Sequence, residues 1–289
     1  MKKLCFIFIL VLLLGVFSAC APADAQVQVA ATTLPVYEFT SLLCAGTDIT
    51  VGRVVTESVS CLHDYSLQTA QMRMLEGAEL IVISGAGLED FLELNPVQTV
   101  CDASVGIELL CPEHHHEEHT DHNHESDPHI WLSPENAKHM CANICENLCK
   151  VYPEHTQIFR DNLSDLITQL EQLQAYGEET LRDLSCRKLI TFHDGFSYFA
   201  EAFDLTILKA VEEESGSEAS AKELIGLIEL VNQHTLPAVF IEYNGSVSAA
   251  DIIAAETGSR VFTLDMAMGE NKYFDAMYHN IDTIKEALG

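Results

Sequence analysis

The stretch from about Glu154 to Leu184 is one uninterrupted helical pattern, and it constrains this chain more than any other segment. Phe159, Leu163, Leu166, Leu170, Leu173 and Leu181 recur at helical spacing with charged residues between them, and Pro153 stands at the start. Roughly thirty residues of α-helix span about 45 Å, far more than one crossover in a sheet requires. Such a helix is expected to be a rigid backbone between two lobes.

On both sides of it, short β-branched runs alternate with amphipathic segments. Before it, strands are expected at 27–32, 49–55 and 78–84, and helices at 36–45 and 66–76. Ser133-Pro134 opens a further helix, with Ser as N-cap and Pro in the first turn. After it, strands at 188–192, 206–211, 238–242 and 260–264 alternate with helices at 195–203, 224–234 and 273–288. Ser220-Ala221-Lys222-Glu223 has the form of a capping box. This alternation implies βαβ units and mostly parallel sheets: an α/β chain of two Rossmann-like lobes joined by one long helix. The expected boundaries are 27–152 for the first lobe, 153–185 for the connecting helix and 186–289 for the second lobe.

The first twenty residues read as a secretory signal. Lys2 and Lys3 precede an apolar run from Leu4 to Phe17, and Ser18-Ala19 stand before Cys20. The segment resembles a bacterial lipoprotein signal, in which Cys20 becomes the lipid-modified N-terminus and residues 21–26 a short tether. An ordinary signal peptide cut nearby is the alternative. Either reading puts the chain outside the cytoplasm, lipid-anchored in the first case, and periplasmic if the cell has an outer membrane.

The chain of 289 residues carries 15 Lys and Arg against 44 Asp and Glu. Losing the leader removes two lysines and no acid, which leaves 13 against 44, a net charge of −31. A surface this acidic repels nucleic acid and attracts cations. Eight cysteines remain beyond Cys5 and Cys20. An even count outside the cytoplasm permits disulfides without revealing their pairing, and Cys101 with Cys111 is one possible pair. Cys141, Cys145 and Cys149 recur every four residues on one helix face and read as small buried hydrophobes.

Residues 113–126 hold His114, His115, His116, His119, His122 and His124, interleaved with acidic and amide side chains. Such a tract cannot pack into an apolar core, and imidazole is a preferred ligand of borderline divalent cations, so it reads as an auxiliary metal-capturing loop. A solvated loop with inert histidines is the bland alternative. Four other donors stand where strands give way to loops: His63, His129, His193 and Asp265. Ligands of open α/β sheets gather at the carboxyl ends of strands, so two donors from each lobe could meet in the interlobe cleft. Three imidazoles and a carboxylate suit tetrahedral zinc. Taken one at a time, each is as well explained by capping or packing.

The motifs supply what spacing cannot. Ala31-Thr32-Thr33-Leu34-Pro35-Val36-Tyr37, His63-Asp64-Tyr65, Gly85-Ala86-Gly87-Leu88-Glu89, Asp127-Pro128-His129-Ile130-Trp131-Leu132-Ser133-Pro134, Phe192-His193-Asp194-Gly195-Phe196 and Thr263-Leu264-Asp265 follow one another in order. In this the chain resembles the cluster A-I solute-binding receptors of bacterial metal ABC importers over nearly all of its length beyond the leader. The resemblance implies His63, His129, His193 and Asp265 as metal ligands. It also implies a membrane permease and its ATPase as partners, and a monomeric receptor with no catalytic residue. Histidine at the third position and a histidine-rich loop before Asp-Pro-His are features of the zinc branch, so Zn2+ is the expected cargo and Mn2+ the alternative. Leu62 stands where some zinc relatives carry an acid, which favours Asp265 as fourth donor, with water or Cys61 as substitutes. Asp64 and Asp194 fit supporting or solvent roles. A zinc-dependent hydrolase would leave Asp265 unbound and a water in its place, but no His-Glu-x-x-His helix is present. A surface adhesin with structural metal is a third possibility.

Overall fold

A computed structural model describes residues 27–57, 62, 65–111, 126–212, 220–243 and 247–289. Among the described residues the chain forms two parallel four-stranded sheets. In the first lobe the strands are β1 (Val29–Ala31), β2 (Val51–Arg53), β3 (Leu80–Ile83) and β4 (Val100–Asp102), in the order β2-β1-β3-β4. In the second they are β5 (Lys188–His193), β6 (Thr206–Glu212), β7 (Ala238–Glu242) and β8 (Arg260–Leu264), in the order β6-β5-β7-β8. Every pairing among the described residues is parallel. Each order reverses once, between β1 and β3 and between β5 and β7, and these reversals open the crevices where α/β sheets receive ligands.

The helices are α1 (Leu34–Leu43), α2 (Thr69–Gly77), α3 (Pro134–Val151), α4 (Thr156–Thr180), α5 (Ser197–Ala202), α6 (Ala221–His234), α7 (Val247–Thr257) and α8 (Tyr273–Leu288). The long helix α4 is preceded by a 3₁₀ turn at Pro153–His155 and buries Phe159, Leu166, Leu170 and Leu173 along one stripe. Gly177 interrupts its helix-forming sequence because the Phe203 ring lies against it; a Cβ there would come within 2.2 Å of that ring. The signals at the starts of α3 and α6 act as the sequence implies. Ser133 Oγ accepts the Asn136 N–H at 3.3 Å. Ser220 and Glu223 bond each other's backbone N–H reciprocally.

Two elements escape the hydrophobic pattern. β4 carries a single buried residue, Cys101, and it is recruited by pairing with β3. α7 is rich in alanine and apolar nearly all round, so it lacks a polar face to mark its period. The Cys101–Cys111 pair is not formed. Cys101 is buried on β4, with its Sγ 3.8 Å from the Asn143 carbonyl, whereas Cys111 is exposed, and all seven described cysteines are free. Burial pushes the Cys44, Cys101 and Cys145 thiols up to about 12, so they stay protonated and behave as packing groups.

The main apolar core does not respect the lobe boundary. Val36, Phe39, Trp131, Ile144, Leu170, Phe196, Tyr273 and Ile284 belong to one continuous buried cluster that runs from the first lobe past α4 into the second. Two smaller clusters cover the outer faces, around Ile81 in the first sheet and around Ile190 and Val239 in the second. Hydrogen bonds cross the same boundary. The Trp131 indole N–H donates to the Met266 carbonyl at 2.8 Å, and the Tyr273 hydroxyl donates to the Trp131 carbonyl at 2.9 Å. Glu38 accepts the Tyr273 N–H at 2.6 Å. Lobes sharing a core and buried hydrogen bonds are held close to one relative orientation. Among the described residues, no helix is long and apolar enough to cross a membrane.

Candidate metal centre

His193 is the last residue of β5 and Glu242 the last of β7, so both stand at the carboxyl edge where the second sheet reverses order. Across from them, His129 precedes the 3₁₀ turn Ile130–Leu132, which leads through Ser133 into α3. The two imidazoles, one from each lobe, meet with ring centroids 5.3 Å apart and planes at 85°. Both are buried, 7% and 5% exposed. The Trp131 indole stands edge-on to the His129 ring, with centroids 5.4 Å apart, and closes that side.

Gly195 allows the approach. A Cβ on it would lie 2.5 Å from Met266 Cε, 2.9 Å from His193 Cδ2 and 3.0 Å from His129 Nδ1. Only a residue without a side chain lets the turn after β5 sit between the two rings.

A carboxylate stands behind each imidazole. Asp127 Oδ1 lies 2.8 Å from His129 Nδ1 and accepts the His129 backbone N–H at 2.9 Å. Burial acts to raise the Asp127 pKa. The hydrogen bonds and charge of His129 outweigh it and hold the pKa below the ordinary value. An ionised Asp127 makes His129 Nδ1 the protonated nitrogen, which leaves the Nε2 lone pair for a cation. Glu242, 4% exposed, has Oε1 4.0 Å from His193 Nδ1. From the sequence, Glu242 is expected only as the end of a strand. The rule that singled out His193 and Asp265, position at a strand's carboxyl end, applies to it equally.

Asp265 follows β8 directly and is 4% exposed. Its Oδ1 accepts the Ala267 N–H and its Oδ2 the Asn271 amide, both at 2.8 Å. The Asn280 side chain bonds its backbone N–H and carbonyl, each at 2.7 Å. The carboxylate is thus fixed in direction, and each oxygen keeps a lone pair. Among the described residues, no three His, Cys, Asp or Glu side chains are grouped closely enough to hold a metal ion. The structure therefore brings together His129 and His193 and sets Asp265 beside their neighbour Met266. His63, Cys61, Asp64, Cys20 and the loop histidines 114, 115, 116, 119, 122 and 124 lie outside the described residues. The donors present fit a borderline divalent cation: two buried imidazoles, with the ionised Asp127 behind one and the Glu242 carboxyl 4.0 Å from the other.

Comparison with known proteins agrees with this chemistry. A family described as the periplasmic zinc-uptake complex component A matches residues 29–287. A putative metal-binding protein of Treponema pallidum (strain Nichols) is 29% identical over 260 residues, covering 85% of this chain and 82% of that protein. The zinc-binding lipoprotein AdcA of Streptococcus pneumoniae (strain R6) is 27% identical over 287 residues, or 91% of this chain. The match spans only 56% of AdcA's own length. A crystal structure of ZnuA superposes with a TM-score of 0.80 at 29% identity, covering 91% of this chain and 99% of that one. A zinc-bound ZnuA lacking residues 138–173 gives 0.78 at 28% identity, covering 91% and 98%. With a family match running almost from the first described strand to the C-terminus, the chain belongs to the ZnuA-type family of zinc-uptake solute-binding receptors.

Proposed function

We propose that this chain captures zinc outside the cytoplasm and delivers it to the membrane permease and ATPase of an ABC importer, without catalysing a reaction. The observation that carries the reading is the pair His129 and His193, buried between the lobes 5.3 Å apart with a carboxylate behind each ring. Zinc is the cargo. His129 and His193 bind it through neutral imidazole, His63 is the third donor, and Asp265 completes a four-donor shell. A nitrogen-rich shell favours zinc over manganese, which prefers oxygen donors. A closed shell suits binding and release, whereas a hydrolytic zinc keeps an open position for water. Cys20 anchors the monomeric receptor to the membrane, and the tract His114, His115, His116, His119, His122 and His124 raises the local zinc concentration.

The test is metal analysis and titration calorimetry on the chain without its leader, with and without residues 114–124. One tight zinc per chain is expected in both forms, and weaker additional binding only when the tract is present. A preference for manganese, or loss of the tight site with the tract, would overturn the reading.

A further inference from the structure

The side chain of Tyr198 is 1% exposed and comes from α5, on the short segment that begins at the metal donor His193. It reaches across to the other lobe. Its hydroxyl accepts the Leu110 N–H at 2.9 Å and donates to the Asp127 carbonyl at 3.0 Å. The Asp127 N–H in turn donates to the Leu110 carbonyl at 2.8 Å. Three hydrogen bonds thus form a closed ring among Leu110, Asp127 and Tyr198. The Asp127 backbone is thus held at both its N–H and its carbonyl, and its carboxylate bonds the His129 ring.

From this connectivity we propose that Tyr198 is a positioning residue for metal binding, acting through Asp127 on His129. Segment 193–198 then does two things at once. Its first residue is the donor of the second lobe, and its last residue aims the donor of the first. The two half-sites are keyed to each other by one hydroxyl, so the distance between the imidazoles does not depend on the apolar core alone. Apolar packing is weakly directional and tolerates small shifts, whereas a buried hydrogen bond weakens steeply as its angle falls. Without the hydroxyl, the Leu110 N–H and the Asp127 carbonyl lose a buried partner. The Asp127 side chain then loses the fixed point from which it holds the ring.

This inference rests on the reading of His129 and His193 as zinc donors, and the experiment separates the two. Zinc affinity is measured by competition, and zinc release by mixing with excess chelator, for the unaltered chain and for Tyr198→Phe, Asp127→Asn and the double variant. The melting temperature of each is recorded without metal. Removing a group that orients a metal-bound histidine typically weakens binding about 10–100-fold. Tyr198→Phe is expected to release zinc about tenfold faster or more, and to do so by less than about twofold when Asp127 is already Asn. Multiplicative effects in the double variant, or a lower melting temperature with unchanged zinc release, would make Tyr198 a merely structural residue and overturn the proposal. Absence of tight zinc binding in the unaltered chain would overturn the zinc reading itself and this inference with it.

Discussion

Asp127 and His129 are bound to each other twice: Asp127 Oδ1 accepts the His129 backbone N–H at 2.9 Å and stands 2.8 Å from the ring Nδ1. The double contact sets both where the ring sits and which nitrogen carries the proton. Replacing Asp127 by Asn keeps the shape but loses the charge that holds Nδ1 protonated. Zinc affinity should fall by about 10–100-fold while the fold persists. Calorimetry on Asp127→Asn checks this, and unaltered affinity would remove Asp127 from the site.

Gly195 is a second point of control. In Gly195→Ala the added Cβ would meet Met266, His193 and His129 at 2.5, 2.9 and 3.0 Å. Met266 Cε can move, being the end of a flexible side chain, but the two rings have little room. Zinc binding should weaken at least tenfold with only a modest change in melting temperature, because the clash is local to the donors. Tight zinc binding by Gly195→Ala would show that the rings are not held in place by this turn.

His193→Glu tests the choice of metal. The substitution replaces a nitrogen donor by a carboxylate, which should lower zinc affinity by about tenfold or more and narrow the preference for zinc over manganese. Parallel titrations with both ions measure the ratio. An unchanged ratio would mean that the donor at this position does not set selectivity.

Stability should depend on pH through Glu89 of the first lobe. Its carboxylate is buried, and the desolvation raises its pKa from 4.5 to about 7 despite hydrogen bonds from Thr32 and the Ser84 and Gly85 N–H groups. A raised carboxyl pKa means that the folded state binds the proton more tightly than the unfolded state. The contribution of Glu89 is therefore full below about pH 4.5 and is lost as pH rises through about 7, by up to about 3 kcal/mol. Urea unfolding of the metal-free chain across this window should show the decline, and Glu89→Gln, which stays neutral, should flatten it. The same slope in both proteins would assign it to other groups.

Much of this architecture is legible in the chain itself. The strands Lys188–His193, Ala238–Glu242 and Arg260–Leu264 and the helix Tyr273–Leu288 follow hydrophobic runs whose period is local. The caps at Ser133 and Ser220 likewise need only neighbouring residues. Strand β4 and helix α7 are not legible, because one carries a single buried residue and the other has no polar face. Glu242 is hard to single out for a related reason. A glutamate at the end of a strand looks like any solvated charge until the neighbouring strand sets a histidine beside it.

By itself, the sequence determined which residue types stand at strand ends, the long helix between the lobes, and a donor chemistry rich in imidazole. Those properties follow from spacing along the chain. Only the tertiary structure decided that His129 and His193 meet at 5.3 Å, that Gly195 makes room for them, and that Asp127 is aimed by a hydroxyl from the opposite lobe. These contacts join residues far apart in the chain. Their geometry depends on how two sheets are packed against a shared core, and no local pattern of residues encodes that.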